Sequence, residues 1–169
     1  MTDVKIRAME PEDLDMIYEI ENNREIWDVG VTNVPYSRYL LHEYIAGSMG
    51  DIFTDKQVRL IITADGKTSG IVDIVNFDPR NRRAEVGIVV SKQFRRMGIA
   101  TKTLMEIEHY AFRVIHVHTL YAIVPAMNQE SVNLFRKVGY EHTATLHEWL
   151  YDGEKYVDAL MMQRFLEKK

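Results

Sequence analysis

In "VKIRAM" apolar and polar residues alternate from Val4 to Met9, the period of a strand, and the pattern changes at Pro11. A proline at a first helical position, followed by acidic residues, suits a helix N-terminus, and Leu14, Ile17 and Tyr18 then mark one face of a first helix. From Asn23 to Asp55 the pattern is less regular, with a short helix predicted over "PYSRYLLHEYIAG" and ended near Gly47. "QVRLIITADGKTSGIVDIVNF" holds two β-branched runs about Ala64-Asp65-Gly66-Lys67, a strong hairpin signal, and "AEVGIVV" is a further strand, the fourth of the chain. After Gly98, the residues Leu104, Ile107, Ala111 and Val114 recur at helical spacing, so "ATKTLMEIEHYAFRVI" reads as an amphipathic helix. "TLYAIV" is a strand and "NQESVNLFRKVG" a helix with Asn128 as cap and Gly139 as terminator. Two last strands turn about Asp152-Gly153.

The predicted order is strand, helix, helix, three strands, helix, strand, helix, two strands. That order makes an α+β (mixed α/β) fold of seven strands and about four helices. A chain of 169 residues with no Pro-, Gly- or Ser-rich boundary is expected to form one domain over residues 1–169. Its 46% apolar and 27% charged residues are those of a soluble globule with a core large enough to hold a cleft. The 21 basic and 25 acidic side chains leave a net charge of −4, which disfavours nucleic acid as a partner. The lack of cysteine excludes disulfides, thiolate metal sites and a cysteine nucleophile. No run of about 18 apolar residues occurs and "MTDVKIRAMEPEDLD" holds no apolar segment, so no membrane span or signal peptide is expected and the expected location is cytoplasmic.

Between the strand and the helix of "VGIVVSKQFRRMGIATKTLMEIEHY" stand Arg95, Arg96, Met97 and Gly98. A loop that feeds a helix N-terminus meets free backbone N–H groups and a partial positive charge, so an anion can bind there, and arginines suit phosphate oxygens. The alternative is a solvated turn. Neither G-x-x-x-x-G-K-[ST] nor G-x-G-x-x-G is present. His116 and His118 lie at spacing two without a Cys or a nearby acidic partner, so no metal is expected. No nucleophile elbow supports hydrolase chemistry.

"RRMGIA", following "VGIVV", resembles the acyl-CoA pyrophosphate loop of the GNAT superfamily of N-acetyltransferases, [QR]-x-x-G-x-[GA]. "NQESVNLFRKVGYE" resembles the second motif of that family, in which an Asn opens a helix that ends in [KR]-x-G-[FY]. With the tail "WLYDGEKYVDALMM", these stretches resemble the bacterial spermidine/diamine acetyltransferases and the acetyltransferases of ribosomal-protein N-termini. The resemblance implies a central, mostly antiparallel seven-stranded sheet splayed between strands four and five. It also implies direct attack of an amine on acetyl-CoA through a tetrahedral intermediate.

By that resemblance the cofactor would meet Ile88, Val89, Val90, Arg95, Arg96, Met97, Gly98, Ile99, Ala100, Thr101, Asn128, Phe135 and Lys137. A backbone N–H of Val89 or Val90, with Val90 preferred, would stabilise the oxyanion, and Glu85 would take the proton of the amine. Glu85 could instead be a surface carboxylate paired with Arg82 or Arg83, and Asn128 could simply cap its helix. Relatives carry a tyrosine where this chain has Phe135, which has no proton to give, so Tyr140 or a water is the candidate donor to the thiolate. Asp28, Glu43, Asp73 and Glu85 are candidate contacts to a cationic substrate. A polyamine or diamine leads as acceptor, with a protein N-terminus as the alternative enzyme and a silent acyl-CoA-binding module as the alternative of another class. Relatives suggest a homodimer or larger assembly.

Overall fold

The computed structural model describes residues 2–27, 34–48 and 50–167; the expected substrate contact Asp28 lies outside them. The strands are β1 Val4–Arg7, β2 Val58–Ala64, β3 Lys67–Asp78, β4 Arg83–Val90, β5 Thr119–Pro125, β6 Glu141–Tyr151 and β7 Tyr156–Phe165. The helices are α1 Leu14–Glu21, α2 Arg24–Trp27, α3 Arg38–Gly47, α4 Ile52–Asp55, α5 Ile99–Arg113 and α6 Gln129–Val138. The four longer helices are those the periodicity predicts. α2 and α4 are single turns, too short to show an amphipathic repeat.

Local chemistry accounts for the ends of these elements. Asp65 and Gly66 both take left-handed backbone (φ 48° and 76°), the geometry of a two-residue hairpin turn between β2 and β3. The Asn128 side chain accepts the Ser131 N–H at 3.1 Å and so caps α6, while Gly139 (φ 100°) ends that helix. Gly70 is required for another reason: a Cβ there would lie 2.2 Å from the Val89 carbonyl oxygen of the neighbouring strand.

The strands form one sheet in the order β1-β2-β3-β4-β5-β7-β6, antiparallel throughout except for β4 and β5. α5 and α6 cover one face, packing Leu104, Ile107 and Val132 with Ile62, Val72, Val86 and Leu120. α1 and α3 cover the other, packing Ile17, Ile20 and Leu41 with Ile61 and Ile71. Successive strand residues point to opposite faces, which is how both Ile61 and Ile62 are fully buried. Among the described residues no helix is long and apolar enough to cross a membrane.

β4 and β5 pair only from Arg83↔Thr119 to Glu85↔Tyr121. Beyond that point β4 stays on β3 as far as Val90↔Gly70, and β5 stays on β7 as far as Pro125↔Ala159. The sheet therefore opens in a V whose apex is the Glu85–Tyr121 pair.

An ion pair between a partly exposed arginine and a buried aspartate anchors the start of the chain. Arg7 grips both oxygens of Asp13 at 2.7 and 2.8 Å, and Asp13 also accepts the Glu10 N–H at 2.8 Å. Burial alone would push the Asp13 carboxyl up, but these hydrogen bonds outweigh it and hold its pKa below the ordinary value. A carboxyl so lowered adds stability above its unfolded pKa of about 3.9, and that stability is lost as pH falls through the folded value. Arg7→Met, which leaves Asp13 buried without its cation, should cost about 2 kcal/mol in urea unfolding at pH 7. Asp13→Asn should flatten the decline of stability below about pH 4.

Candidate functional site

The direction of the free amides in the V follows from the register. The Ser91 N–H donates to the Ser69 carbonyl at 2.9 Å, so the amides of Val89 and Gly87, at the same parity, also face β3. Those of Val90 and Ile88 face the opening. Of the two expected oxyanion donors, only Val90 is thus directed into the V. Its carbonyl, on the same side, accepts the Arg95 Nε at 3.0 Å, which ties the following loop to the end of the strand.

That loop turns through two left-handed residues, Arg96 (φ 62°) and Gly98 (φ 75°), and enters α5 at Ile99. The amides of Ile99, Ala100 and Thr101 in the first turn have no intrahelical acceptor, so together they form an anion-directed helix end. The Ile99 side chain points into the core at 1% exposure, leaving only its backbone for a ligand. Arg96 is exposed and lies 3.6 Å from Glu130 at the start of α6. Met97 is half exposed.

Ile88 and Val90 direct their side chains to the α5/α6 core, and Val89 packs on the α1/α3 side. The alternation puts Glu85 and Gly87 on that same side, beside the V. The Glu85 Oε2 accepts the Asn76 Nδ2 at 2.8 Å. The alternative pairing with Arg82 or Arg83 is not formed: the Arg82 Nε donates to the His116 carbonyl at 2.7 Å, and Arg83 lies 3.3 Å from Asp78. Tyr121, half-buried across from Glu85, has its hydroxyl pKa pushed up first by burial and then by the Glu85 charge.

Asp73 stands opposite Gly87 on β3, on the α1/α3 side, but it is not available as a lone carboxylate. The Arg59 Nε and a terminal guanidinium nitrogen hold its two oxygens at 2.8 and 2.7 Å, and Arg59 also bonds Glu21 of α1. Burial works against the Arg59 charge, yet Asp73 and Glu21 outweigh it and raise the guanidinium pKa further. The Tyr44 ring lies 5.9 Å from this guanidinium. Glu43 is exposed on α3, 3.6 Å from His42. Tyr39, also on α3, faces solvent at 74% exposure.

At the end of α6 two residues expected in the site turn inward instead. Phe135 and Tyr140 form an edge-to-face pair with ring centroids 5.0 Å apart, and both rings are buried in the core. The Tyr140 hydroxyl is near the charges of Glu108 and Arg164, and burial followed by Glu108 pushes its pKa far up. A phenol so placed is a poor proton donor to a group in the V, and Phe135 packs in the core. Lys137 is exposed in the last turn of α6, about 13.5 Å along the helix from Asn128. Asn128 uses its oxygen as the cap and keeps its amide NH2 available.

Sequence reasoning missed Arg59, Glu21, Asn76 and Tyr121. For Asn76 there was a signal: the apolar positions Val72, Ile74 and Phe77 break strict alternation, as a bulge does. Two hollows, of 320 Å³ against α3, α4 and β2 and of 450 Å³ against α5 and β7, include no residue of β4 or β5. The site is located by the parted strands instead. Among the described residues no cluster of His, Asp or Glu is arranged to hold a metal.

The model of the acetyltransferase (GNAT) domain family matches residues 3–141. The spermidine N(1)-acetyltransferase of Escherichia coli K12 is 28% identical over 166 residues, which are 94% of this chain and 84% of that protein. The crystal structure of spermidine N-acetyltransferase from Vibrio cholerae in complex with CoA and spermine has a TM-score of 0.84 at 24% identity, covering 96% of this chain and 95% of that one. A dodecameric structure of the Vibrio cholerae protein in an intermediate state has a TM-score of 0.81 at 23% identity, covering 96% and 94%.

The burial of Tyr140 gives a direct check. Its hydroxyl has no hydrogen-bond partner among the described residues, so removing it deletes no bond and relieves a desolvated polar group. Tyr140→Phe should keep or slightly raise the thermal midpoint and leave turnover within about twofold; a loss of about a hundredfold in turnover would restore Tyr140 as the donor.

Proposed function

The chain belongs to the GNAT acetyltransferase family, and on that premise we propose that it transfers the acetyl group of acetyl-CoA to a primary amine of a small polyamine or diamine. The observation that carries this reading is the V between β4 and β5, with the Val90 amide directed into it and Glu85 at its apex. Acetyl-CoA supplies an activated acyl carbon. The amides of Ile99, Ala100 and Thr101 hold its pyrophosphate, with Arg96 adding charge at the rim. The Val90 N–H donates to the acyl oxygen and strengthens as negative charge develops there. Glu85 receives the proton of the attacking ammonium, directly or through a water, so that the lone pair can reach the acyl carbon.

The choice of acceptor follows from charge. Glu85 supplies one anionic position. The Glu21–Arg59–Asp73 cluster supplies another, since two carboxylates around one guanidinium keep one unit of negative charge. Two such positions on one face suit a molecule with two ammonium groups, in keeping with the spermidine acetyltransferases that the chain resembles. We also propose that the protein is a homo-oligomer. β6 is a sheet edge with Trp149, Tyr151 and, from β7, Tyr156 exposed beside it, an apolar surface that a second copy would cover.

The test is thiol release from acetyl-CoA with spermidine, spermine, putrescine, aminoglycosides and N-terminal peptides in turn. Spermidine or a diamine should give the highest kcat/KM; a peptide in first place would make this an N-terminal acetyltransferase, and no thiol from any acceptor while CoA still binds would make it a silent module. Glu85→Gln should lower kcat about 100-fold with little change in acetyl-CoA affinity. Gly98→Val forces a β-branched residue into left-handed backbone and should weaken acetyl-CoA binding about tenfold; unchanged affinity would remove the pyrophosphate assignment.

A further inference from the structure

Val72 and Ile74 point into the α5/α6 core, and strict alternation would send Asn76 there next and turn Phe77 to the opposite face. The chain does the reverse. Phe77 is buried in that core and Asn76 is exposed. The cause is a bulge: Val75 pairs with Glu85 and Asp78 with Arg83, so Asn76 and Phe77 together oppose Ala84 alone. Asn76 carries the bulge in left-handed backbone (φ 51°), a conformation that asparagine adopts more readily than most residues. The result is the 2.8 Å bond from Asn76 Nδ2 to Glu85 Oε2. An ionised carboxylate only accepts, so the amide must present its NH2 to Glu85.

We propose that Asn76 is a positioning residue for acetyl transfer: the β3 bulge delivers its amide to Glu85 and fixes that carboxylate at the apex of the V, where the acceptor ammonium arrives. The proposal rests on Glu85 taking the amine proton, as argued above. The groups around Glu85 favour this role. Arg82 is bonded to the His116 carbonyl, Arg83 lies by Asp78, and Tyr121 is the partner across the strands. An arginine partner would orient the carboxylate but also neutralise it and compete with the cationic substrate. A neutral amide orients it and leaves its negative charge for the ammonium. Glutamate has three side-chain torsions, so the bond matters most for the position from which the proton is received.

The experiment is a mutant cycle with spermidine and acetyl-CoA. Asn76→Gly keeps access to left-handed backbone and deletes the amide; it should lower kcat about tenfold with the acetyl-CoA dissociation constant and thermal midpoint unchanged. Asn76→Asp, similar in shape but with an acceptor in place of the donor, should fall at least as far. In a Glu85→Gln background, Asn76→Gly should change kcat less than about twofold, because the group it acts through is already gone. Equal losses in both backgrounds, or an Asn76→Gly enzyme as fast as wild type, would overturn the proposal. If wild type acetylates no amine, the amine reading has failed on its own terms, and crystals decide the remainder. In Asn76→Gly the Glu85 carboxylate should leave the place it holds in wild type; a carboxylate that stays there would also overturn the proposal.

Discussion

The separation of β4 from β5 after the Glu85–Tyr121 pair governs the rest of the structure. Strands in a sheet normally satisfy both edges, and parting two of them leaves amides and carbonyls without a ladder partner. Each strand here keeps one neighbour, β3 for β4 and β7 for β5, so the V does not unravel. Val86 and Ile88 keep their side chains in the α5/α6 core while the backbone between them runs along the opening. Side-chain packing therefore sets the direction of the free amides, so the Val90 N–H is held in the opening by a strand rather than by a loop. Gly70 belongs to the same device, since only a residue without a Cβ lets β3 approach the Val89 carbonyl so closely.

Charge on the two sides of the chain is arranged for different ends. Arg7 and Asp13 match one to one, and the pair joins β1 to the turn before α1. Arg59 is outnumbered by Asp73 and Glu21, and it lies under Tyr44 on the face where the proposed acceptor approaches. Taking any one member from such a cluster would leave the others buried with an altered balance, so the cluster is rigid as well as charged. Its fixed negative remainder sits beside Glu85, whose own partner is neutral. The proposed cationic acceptor would thus meet two anionic positions that the fold has already oriented.

What was legible in the sequence was local. Asp65-Gly66, Asn128 and Gly139 each announce a turn or cap through their own backbone preferences, and the structure places them so. The loop Arg95–Gly98 could be read because a strand, a glycine and a helix follow one another within a dozen residues. The ion pairs were not legible: Arg59 lies 14 residues from Asp73 and 38 from Glu21, and either carboxylate could equally have faced water. Tyr140 follows Gly139 at the start of a strand, and nothing in its neighbourhood of sequence says that it turns inward against Phe135. The Asn76 bulge falls between these cases, since Phe77 breaks the alternation but only the register shows which residue swings out.

The burial of Phe135 and Tyr140 bears on how the proposed reaction would end. A hydroxyl on α6 that gave a proton to the departing sulfur would have to point into the V, and this pair is committed to the core by an edge-to-face contact and by burial on every side. The sulfur needs less help than an oxygen leaving group would, because a thiol of pKa about 8.5 is a stronger acid than an alcohol and leaves as a stable anion. The ammonium that attacks, by contrast, cannot react until it loses its proton. The larger demand of the proposed reaction therefore falls at its start, on the amine, and that is where this fold concentrates its fixed groups: Glu85 with Asn76 behind it, and the Val90 amide further along the same strand.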